Sequence, residues 1–309
     1  MKPPKISLII PIYNVQACLS ASLNSAIHQT LFDIEIICVN DGSTDNSLTI
    51  VKEFAKIDQR IIVIDKPNGG LSSARNAGLK ASSGEIVMFL DSDDILCSNA
   101  CERVWLEYLE RAPEIIVFST EIFPEKPRAE VWYYNVLTVT DEVFENQSFE
   151  ALMKKKGGTP FVWRQAYLRE LIVNNKIRFD ESIRFGEDTI FQFEIFPYAK
   201  RISFVSDKLY KYRWYREGSL MGNTRGNNEI KYDEHLKIIR TILEYWQSRN
   251  WLEKHGSSFF DWALILFKIR GYTLTKSQIT ETKKLLEEYN YRKYLKKIGT
   301  RLEYRKLIS

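Results

Sequence analysis

The chain is poor in the residues that build covalent or metal scaffolds, with four cysteines and three histidines in 309 residues. Cys18 and Cys38 stand in apolar patterns and read as small core residues. Cys97 and Cys101 are spaced for one helix face, but no His or third Cys lies near to complete a zinc site. A disulfide framework is therefore excluded, and this cysteine usage suits a reducing compartment. No segment reaches the ~20 apolar residues of a membrane span. Residues 6–32 lack Asp, Glu, Lys and Arg, yet their apolar run is only Ile6–Tyr13, with Pro11 inside it. Neither G-x-G-x-x-G nor G-x-x-x-x-G-K-[ST] occurs, so dinucleotide oxidoreductases and P-loop NTPases lack their fingerprints.

What is present is an alternation of strands and helices. Apolar runs at Ile6–Ile10, Ile34–Val39, Ile61–Ile64 and Ile86–Leu90 read as buried strands, the first ending at Pro11. Helical spacing separates them over Gln16–Gln29, Thr44–Ile57 (with Ser43 as N-cap) and Leu71–Ala81, and Ser98–Arg111 follows. The pattern predicts an α/β fold with a mostly parallel central sheet flanked by helices. Further on, Ile115–Ser119 reads as a strand and Phe123–Tyr134 as a loop with an edge strand. Ser148–Lys155, Arg164–Asn174 and Glu187–Phe196 read as helices, and Ile202–Tyr215 as two strands joined through Asp207. Only helical spacing continues after about Asn227. A composition shift at Gly222–Asn227 divides residues 1–222 from a helical C-terminal region, 223–309. Within the first, 1–100 carry the clear strand–helix alternation and 101–222 a looser pattern.

In parallel sheets ligands bind beyond the carboxyl ends of the strands, and that is where the polar clusters collect. Asp91-Ser92-Asp93, with Asp94 behind, follows the fourth strand. Two carboxylates there suit Mg²⁺ or Mn²⁺ shared with a diphosphate; the competing use is an acidic cap for the helix at Ser98. Glu187-Asp188 offers a base for a sugar hydroxyl, or two acids placed at a helix start for electrostatic reasons. Asp41 can accept from a base imino group or a ribose hydroxyl, or simply form an Asp-Gly turn. Arg75, beyond Asn68-Gly69-Gly70, reaches a phosphate or base, or lies on a solvated helix face. Arg213, Arg216 and Ser219 can help neutralise a diphosphate. Near Trp163 and Arg164, and at Trp132-Tyr133-Tyr134, aromatic rings stack on acceptor sugars or pack into the core.

Four segments taken together resemble the successive motifs of family 2 glycosyltransferases, which have the glycosyltransferase A fold. They are Pro11-Ile12-Tyr13-Asn14, Val39–Asp45, Gly70–Gly78 and Phe89–Asp94, in matching order and spacing across residues 5–100. Phe185-Gly186-Glu187-Asp188 and Tyr212–Ser219 extend the match more weakly. The resemblance makes 1–222 a catalytic domain, with 1–100 the nucleotide-binding half and 101–222 the acceptor-side half. It implies that Pro11 and Tyr13 border the nucleotide base, with Asn14, Asn68 and Ser92 also in the nucleotide-sugar site. Asp41 would accept from the uracil N3–H, and Arg75 would lie near base or phosphates. Asp91 would contact the ribose, with Asp93 the main metal ligand and Asp91 beside it. Asp188 would be the catalytic base, with Glu187 its neighbour, and Arg213 would lie near the diphosphate. The implied activity is metal-dependent, inverting transfer of a hexose or N-acetylhexosamine from a UDP-sugar to a glycan hydroxyl. Bacterial lipopolysaccharide, lipooligosaccharide or capsule assembly would be the setting, with a lipid-linked acceptor among the options. The alternatives are a degenerate nucleotide-sugar-binding subunit and a sugar nucleotidyltransferase, although the latter needs a Gly- and Arg-rich loop after the first strand.

Charge divides as the domains do. From Lys268 to Ser309 there are 12 basic and 4 acidic side chains, a local +8, so the other 267 residues carry −4 of the net +4. No nucleic-acid motif accompanies the excess. Tyr291, Leu295, Ile298 and Leu302 fall at helical spacing among basic residues. That pattern predicts one amphipathic helix, lying either on an anionic membrane surface or on the protein body. The corresponding location is cytoplasmic, with or without peripheral attachment to the inner face of the membrane.

Overall fold

The computed structural model describes residues 3–123, 136–154, 161–214, 228–268 and 272–308. The chain divides into two compact units, 1–216 and 217–309; Gly222–Asn227, where the sequence pattern placed the division, lie outside the described residues.

In the first unit β1 (Ile6–Ile12), β2 (Ile34–Asp41), β3 (Ile61–Lys66) and β4 (Ile86–Phe89) run parallel in the order β3–β2–β1–β4. All seven residues of β1 are buried, as a strand covered on both faces requires. The strand continues through Pro11 rather than ending there. β4 is paired only as far as Phe89, opposite Ile9, so beyond it β1 has a neighbour on one side, and a residue without an N–H fits. The connecting helices are α1 (Gln16–Ile27), α2 (Ser47–Ile57) and α3 (Leu71–Ala81). Gly78 lets α3 lie directly on β1, because a Cβ there would run into Ile9 Cγ2. α2 starts four residues after Ser43, whose hydroxyl accepts from the Asn14 N–H instead of capping.

Beyond β4 the sheet becomes mixed. β8 (Gln165–Leu168) inserts antiparallel between β4 and β6 (Ile115–Phe123), and β9 (Arg201–Arg213) runs parallel to β6. β5 (Ile95–Leu96) and β7 (Glu142–Glu145) pair antiparallel with β9. Helices α4 (Ala100–Arg111), α5 (Ser148–Lys154), α6 (Arg169–Asn174) and α7 (Glu187–Ile195) complete the unit. Two sequence expectations change here. The predicted helix Arg164–Asn174 is a 3₁₀ turn, strand β8 and the short α6. The two strands predicted through Asp207 are one strand, with Ser206 and Asp207 as extra residues opposite Phe118/Ser119. Asp141 anchors that bulge by accepting from the Ser206 N–H at 2.6 Å, and Arg103 pairs with Asp207 at 2.9 Å.

The second unit holds α8 (Asn228–Gln247), α9 (Trp251–Phe267), α10 (Lys276–Glu288) and α11 (Ile298–Leu307). Thr275 and Gln278 form a reciprocal capping box at the start of α10. The predicted continuous helix over Tyr291–Leu302 is instead a 3₁₀ turn at Tyr291–Lys293 followed by α11. Tyr291, Tyr294, Leu295 and Tyr304 are buried, and Tyr294 stacks on Phe260 over the bare backbone of Gly256. Basic residues in this stretch meet local acids: Lys293–Glu253 at 2.6 Å, Lys297–Asp261 at 2.5 Å and Arg292–Glu287 at 2.7 Å. Thus Tyr291 and Leu295 of the apolar stripe belong to this unit's own core, while Leu302 is exposed. Among the described residues no helix is long and apolar enough to cross a membrane.

Candidate active site

The site forms at the carboxyl ends of β1, β2 and β4. The first two loops are cross-tied. Asn14, in the left-handed conformation at φ 48°, accepts from the Thr44 N–H at 2.8 Å, while Asp45 accepts from the Gln16 N–H at 3.0 Å. Ser47 Oγ accepts from the Val15 N–H at 3.0 Å. This fixes the entry to α1 and leaves the Tyr13 ring half exposed (49%) beside buried Pro11. Asp41, at the end of β2, is buried and its two oxygens accept from the Gly69 and Gly70 N–H groups at 2.9 and 2.8 Å. Lys66 adds a charged contact at 2.5 Å, and Asn68 Nδ2 donates to the Asp41 carbonyl at 2.9 Å. Asp41 is thus held by the loop that would flank a base.

After β4, residues 91–94 form a turn closed by the Asp94 N–H donating to the Asp91 carbonyl at 2.9 Å. The turn does not cap α4. That helix begins at Ala100, beyond β5, and its N-cap residue Asn99 makes no side-chain cap bond. Asp91 and Asp93 are half-buried, Ser92 and Asp94 buried. Arg213 donates from Nε to the Asp93 carbonyl at 2.7 Å and from its backbone N–H to Asp94 Oδ1 at 2.6 Å. Burial raises the Asp91 carboxyl above its ordinary range against the pull of Arg75, with Asp93 and Glu187 adding to the rise. The rise at Asp94 is larger: burial leads, followed by repulsion from Asp93 and Asp91. Hard oxygen donors at Asp91 and Asp93 fit Mg²⁺ or Mn²⁺. No set of three His, Cys, Asp or Glu groups is poised around a cation among the described residues. An ion here would therefore depend on oxygens brought by its ligand.

Arg75 is the largest departure from expectation. Its side chain is not on a solvated face; it is 2% exposed and bridges two carboxylates. Nη1 donates to Glu187 at 2.7 Å and Nη2 to Asp91 at 3.0 Å, with the guanidinium 5.2 Å from the Phe179 ring centre. Burial opposes its charge, but Asp91, Glu187 and Asp188 outweigh that and strengthen its hold on the proton. Glu187 and Asp188 open α7 after Gly186, which takes φ 83°, a conformation that favours glycine. Asp188 is half-buried, and burial, then repulsion from Glu187, lifts its pKa well above the usual aspartate range despite Arg75.

Trp163 and Arg164, expected on the acceptor side, lie in the core. Trp163 is 4% exposed and stacks on Tyr210, Tyr212 and Phe161 at 4.7, 5.2 and 4.9 Å. Arg164 is fully buried and donates to the Val136 carbonyl at 2.5 Å. Arg216, Ser219 and Trp132-Tyr133-Tyr134 lie outside the described residues. Sequence reasoning missed Tyr210, whose hydroxyl donates to Asp94 at 2.7 Å and accepts from the Asp91 N–H at 3.1 Å. No local signal marks it, since its partners stand more than a hundred residues away.

Comparison with known proteins identifies the family. The pattern of "Glycosyl transferase family 2" matches residues 7–186. "Uncharacterized glycosyltransferase EpsJ" of Bacillus subtilis (strain 168) is 36% identical over 241 residues, 76% of this chain and 67% of that protein. "Poly(ribitol-phosphate) beta-glucosyltransferase" of Bacillus spizizenii is 32% identical over 243 residues, 77% of this chain but 37% of that protein. This chain therefore spans little more than a third of that relative's length. Among solved structures, S. aureus TarS 1-349 in complex with UDP-GlcNAc matches in fold with TM-score 0.66, covering 98% of this chain and 90% of that one at 20% identity. The chain belongs to glycosyl transferase family 2 and is a glycosyltransferase with the glycosyltransferase A fold.

Proposed function

We propose that the chain transfers a hexose or N-acetylhexosamine from a UDP-sugar, with inversion and divalent-metal dependence, to a hydroxyl of a bacterial surface glycan. The observation that carries this reading is the Arg75 bridge. It brings Glu187, 112 residues distant in sequence, to the same guanidinium as Asp91, so the helix start that carries the candidate base Asp188 and the turn that carries the candidate metal ligands share one location. The UDP-GlcNAc complex of TarS and the glucosyltransferase activity named for the Bacillus spizizenii relative support the donor class and the acceptor class.

In this reading Tyr13 and Pro11 border the uracil, Asp41 accepts its imino N–H, and Asp91 faces the ribose. Mn²⁺ or Mg²⁺ held by Asp93, with Asp91, would supply Lewis-acid neutralisation of the departing diphosphate. Asp188 takes the proton of the acceptor hydroxyl while its oxygen forms the bond to the anomeric carbon. The bond from that carbon to the diphosphate oxygen breaks on the opposite face, which inverts the centre. Glu187 stays paired with Arg75, so the proton goes to Asp188 rather than to its neighbour. The basic excess of residues 268–309 would draw the enzyme by charge to an anionic inner leaflet, where a lipid-linked acceptor sits.

Released UDP, measured across a panel of UDP-sugars and glycan acceptors, tests the reading. One or more donors should turn over, EDTA should abolish turnover, and Mn²⁺ or Mg²⁺ should restore it. Asp188→Asn should retain UDP-sugar binding while turnover falls roughly 10²-fold or more. Unchanged turnover in that variant removes Asp188 as base, and full activity in EDTA removes the metal.

A further inference from the structure

The turn 91–94 is gripped from one side by a single strand. β5, its direct continuation, pairs with β9 in the register Ile95↔Lys211 and Leu96↔Tyr210. Four further hydrogen bonds from the end of β9 reach the turn itself. Tyr210 Oη accepts from the Asp91 N–H and donates to Asp94 Oδ2, while Arg213 donates to Asp94 Oδ1 and to the Asp93 carbonyl. Both oxygens of the buried Asp94 are thereby used from β9, as is one main-chain atom of each of Asp91 and Asp93. The Tyr210 ring is fully buried and stacked on Trp163 at 4.7 Å, so its hydroxyl has a fixed origin. A group that bonds the backbone of a ligand-bearing turn, rather than its carboxylates, sets the direction of those carboxylates without competing for what they bind.

We infer that Tyr210, acting with Asp94, is a positioning residue that holds the Asp91 and Asp93 carboxylates in the direction needed for a diphosphate-bound divalent cation. The inference rests on the metal role proposed above for those two aspartates. Without the hydroxyl, the Asp91 N–H loses its acceptor and Asp94 Oδ2 loses its donor, and the turn can settle with its carboxylates splayed. The stack on Trp163 is retained by phenylalanine. Tyr210→Phe should therefore loosen the turn while sparing the packing.

The test is Mn²⁺ binding in the presence of UDP, read by the electron paramagnetic resonance signal of free Mn²⁺ and by calorimetry, on the full chain. Tyr210→Phe should weaken Mn²⁺·UDP binding roughly 5–20-fold, the size expected for one or two lost hydrogen bonds. In turnover assays its Mn²⁺ activation constant should rise by a similar factor, with kcat at saturating Mn²⁺ within about threefold of the parent. A merely structural role would lower kcat through the active fraction and leave the activation constant in place. Asp94→Asn keeps the shape but presents an amide N–H₂ to one of two donors, and it should weaken Mn²⁺·UDP less than Asp94→Ala; this pair decides the matter if Tyr210→Phe does not fold. Parent-like Mn²⁺·UDP affinity in both Tyr210→Phe and Asp94→Ala overturns the inference. If the parent itself binds UDP with no response to Mn²⁺, the metal role fails first, and that outcome is told apart by the parent alone.

Discussion

Asp188 sits where burial and Glu187 both resist its negative charge and Arg75 opposes them. In the role proposed for it Asp188 must be ionised to act, so activity would be present above its folded pKa and lost as pH falls through it. With that pKa raised, the acid limb of kcat/KM should have its midpoint above the 3.8 of an ordinary aspartate. A pH–rate profile checks this; a midpoint at or below 3.8 would remove Asp188 from the role. Arg75→Lys keeps a charge near Asp188 but cannot form the fork to two carboxylates at 2.7 and 3.0 Å. Turnover should fall about tenfold or more while the limb moves little. The acidic residues of this site were legible in the sequence because Asp41, Asp91, Asp93 and Asp188 each follow a strand or open a helix. The direction of Arg75 was not. A solvated helix face, a phosphate contact and a buried bridge have the same local sequence, and only the arrival of Glu187 from far along the chain distinguishes them.

At the scale of elements, α3 couples packing to chemistry. Arg75 and Gly78 are one turn apart on this helix, and Gly78 lies against Ile9 of β1. Gly78→Ala should push α3 outward, lowering stability by about 1–3 kcal/mol as overpacking does. Because the same displacement draws Arg75 from Asp91 and Glu187, kcat/KM should fall along with the melting temperature. Thermal unfolding and kinetics on one preparation check it; a fall in melting temperature with unchanged kcat/KM would uncouple the two. The parallel half of the sheet was readable because its apolar runs are long and separated by clear helices. β8 was not, because four residues between a 3₁₀ turn and a short helix carry no periodicity of their own. β9 read as two strands because Ser206 and Asp207 look like a turn. In the fold they are a bulge held by Asp141 and Arg103.

Over the whole molecule the charge is divided, and the division bears on where the enzyme works. Tyr291, Leu295 and Tyr304 are used inside the second unit, whereas Leu302 is exposed. In the membrane attachment proposed above, the basic stretch would be drawn to anionic lipid by charge, an attraction that salt screens. The protein should therefore sediment with anionic vesicles at low ionic strength, release from them at about 0.5 M salt, and ignore zwitterionic vesicles. Retention at high salt would point to apolar insertion instead.

The path of the sheet also dictates an order of assembly. The parallel strands β1 to β4 lie together within residues 6–89, but among the described residues the far edge of β4 is paired by β8, at 165–168. Until then the nascent chain carries an open, apolar strand edge of the kind that other chains can pair with. Over the same interval Arg75 has Asp91 but not Glu187, and the turn 91–94 has no β9 to grip it. The contacts of the candidate site are thus completed only by residues 187–213. A chain truncated before β9 would lack a strand of the sheet as well as the groups that hold the turn.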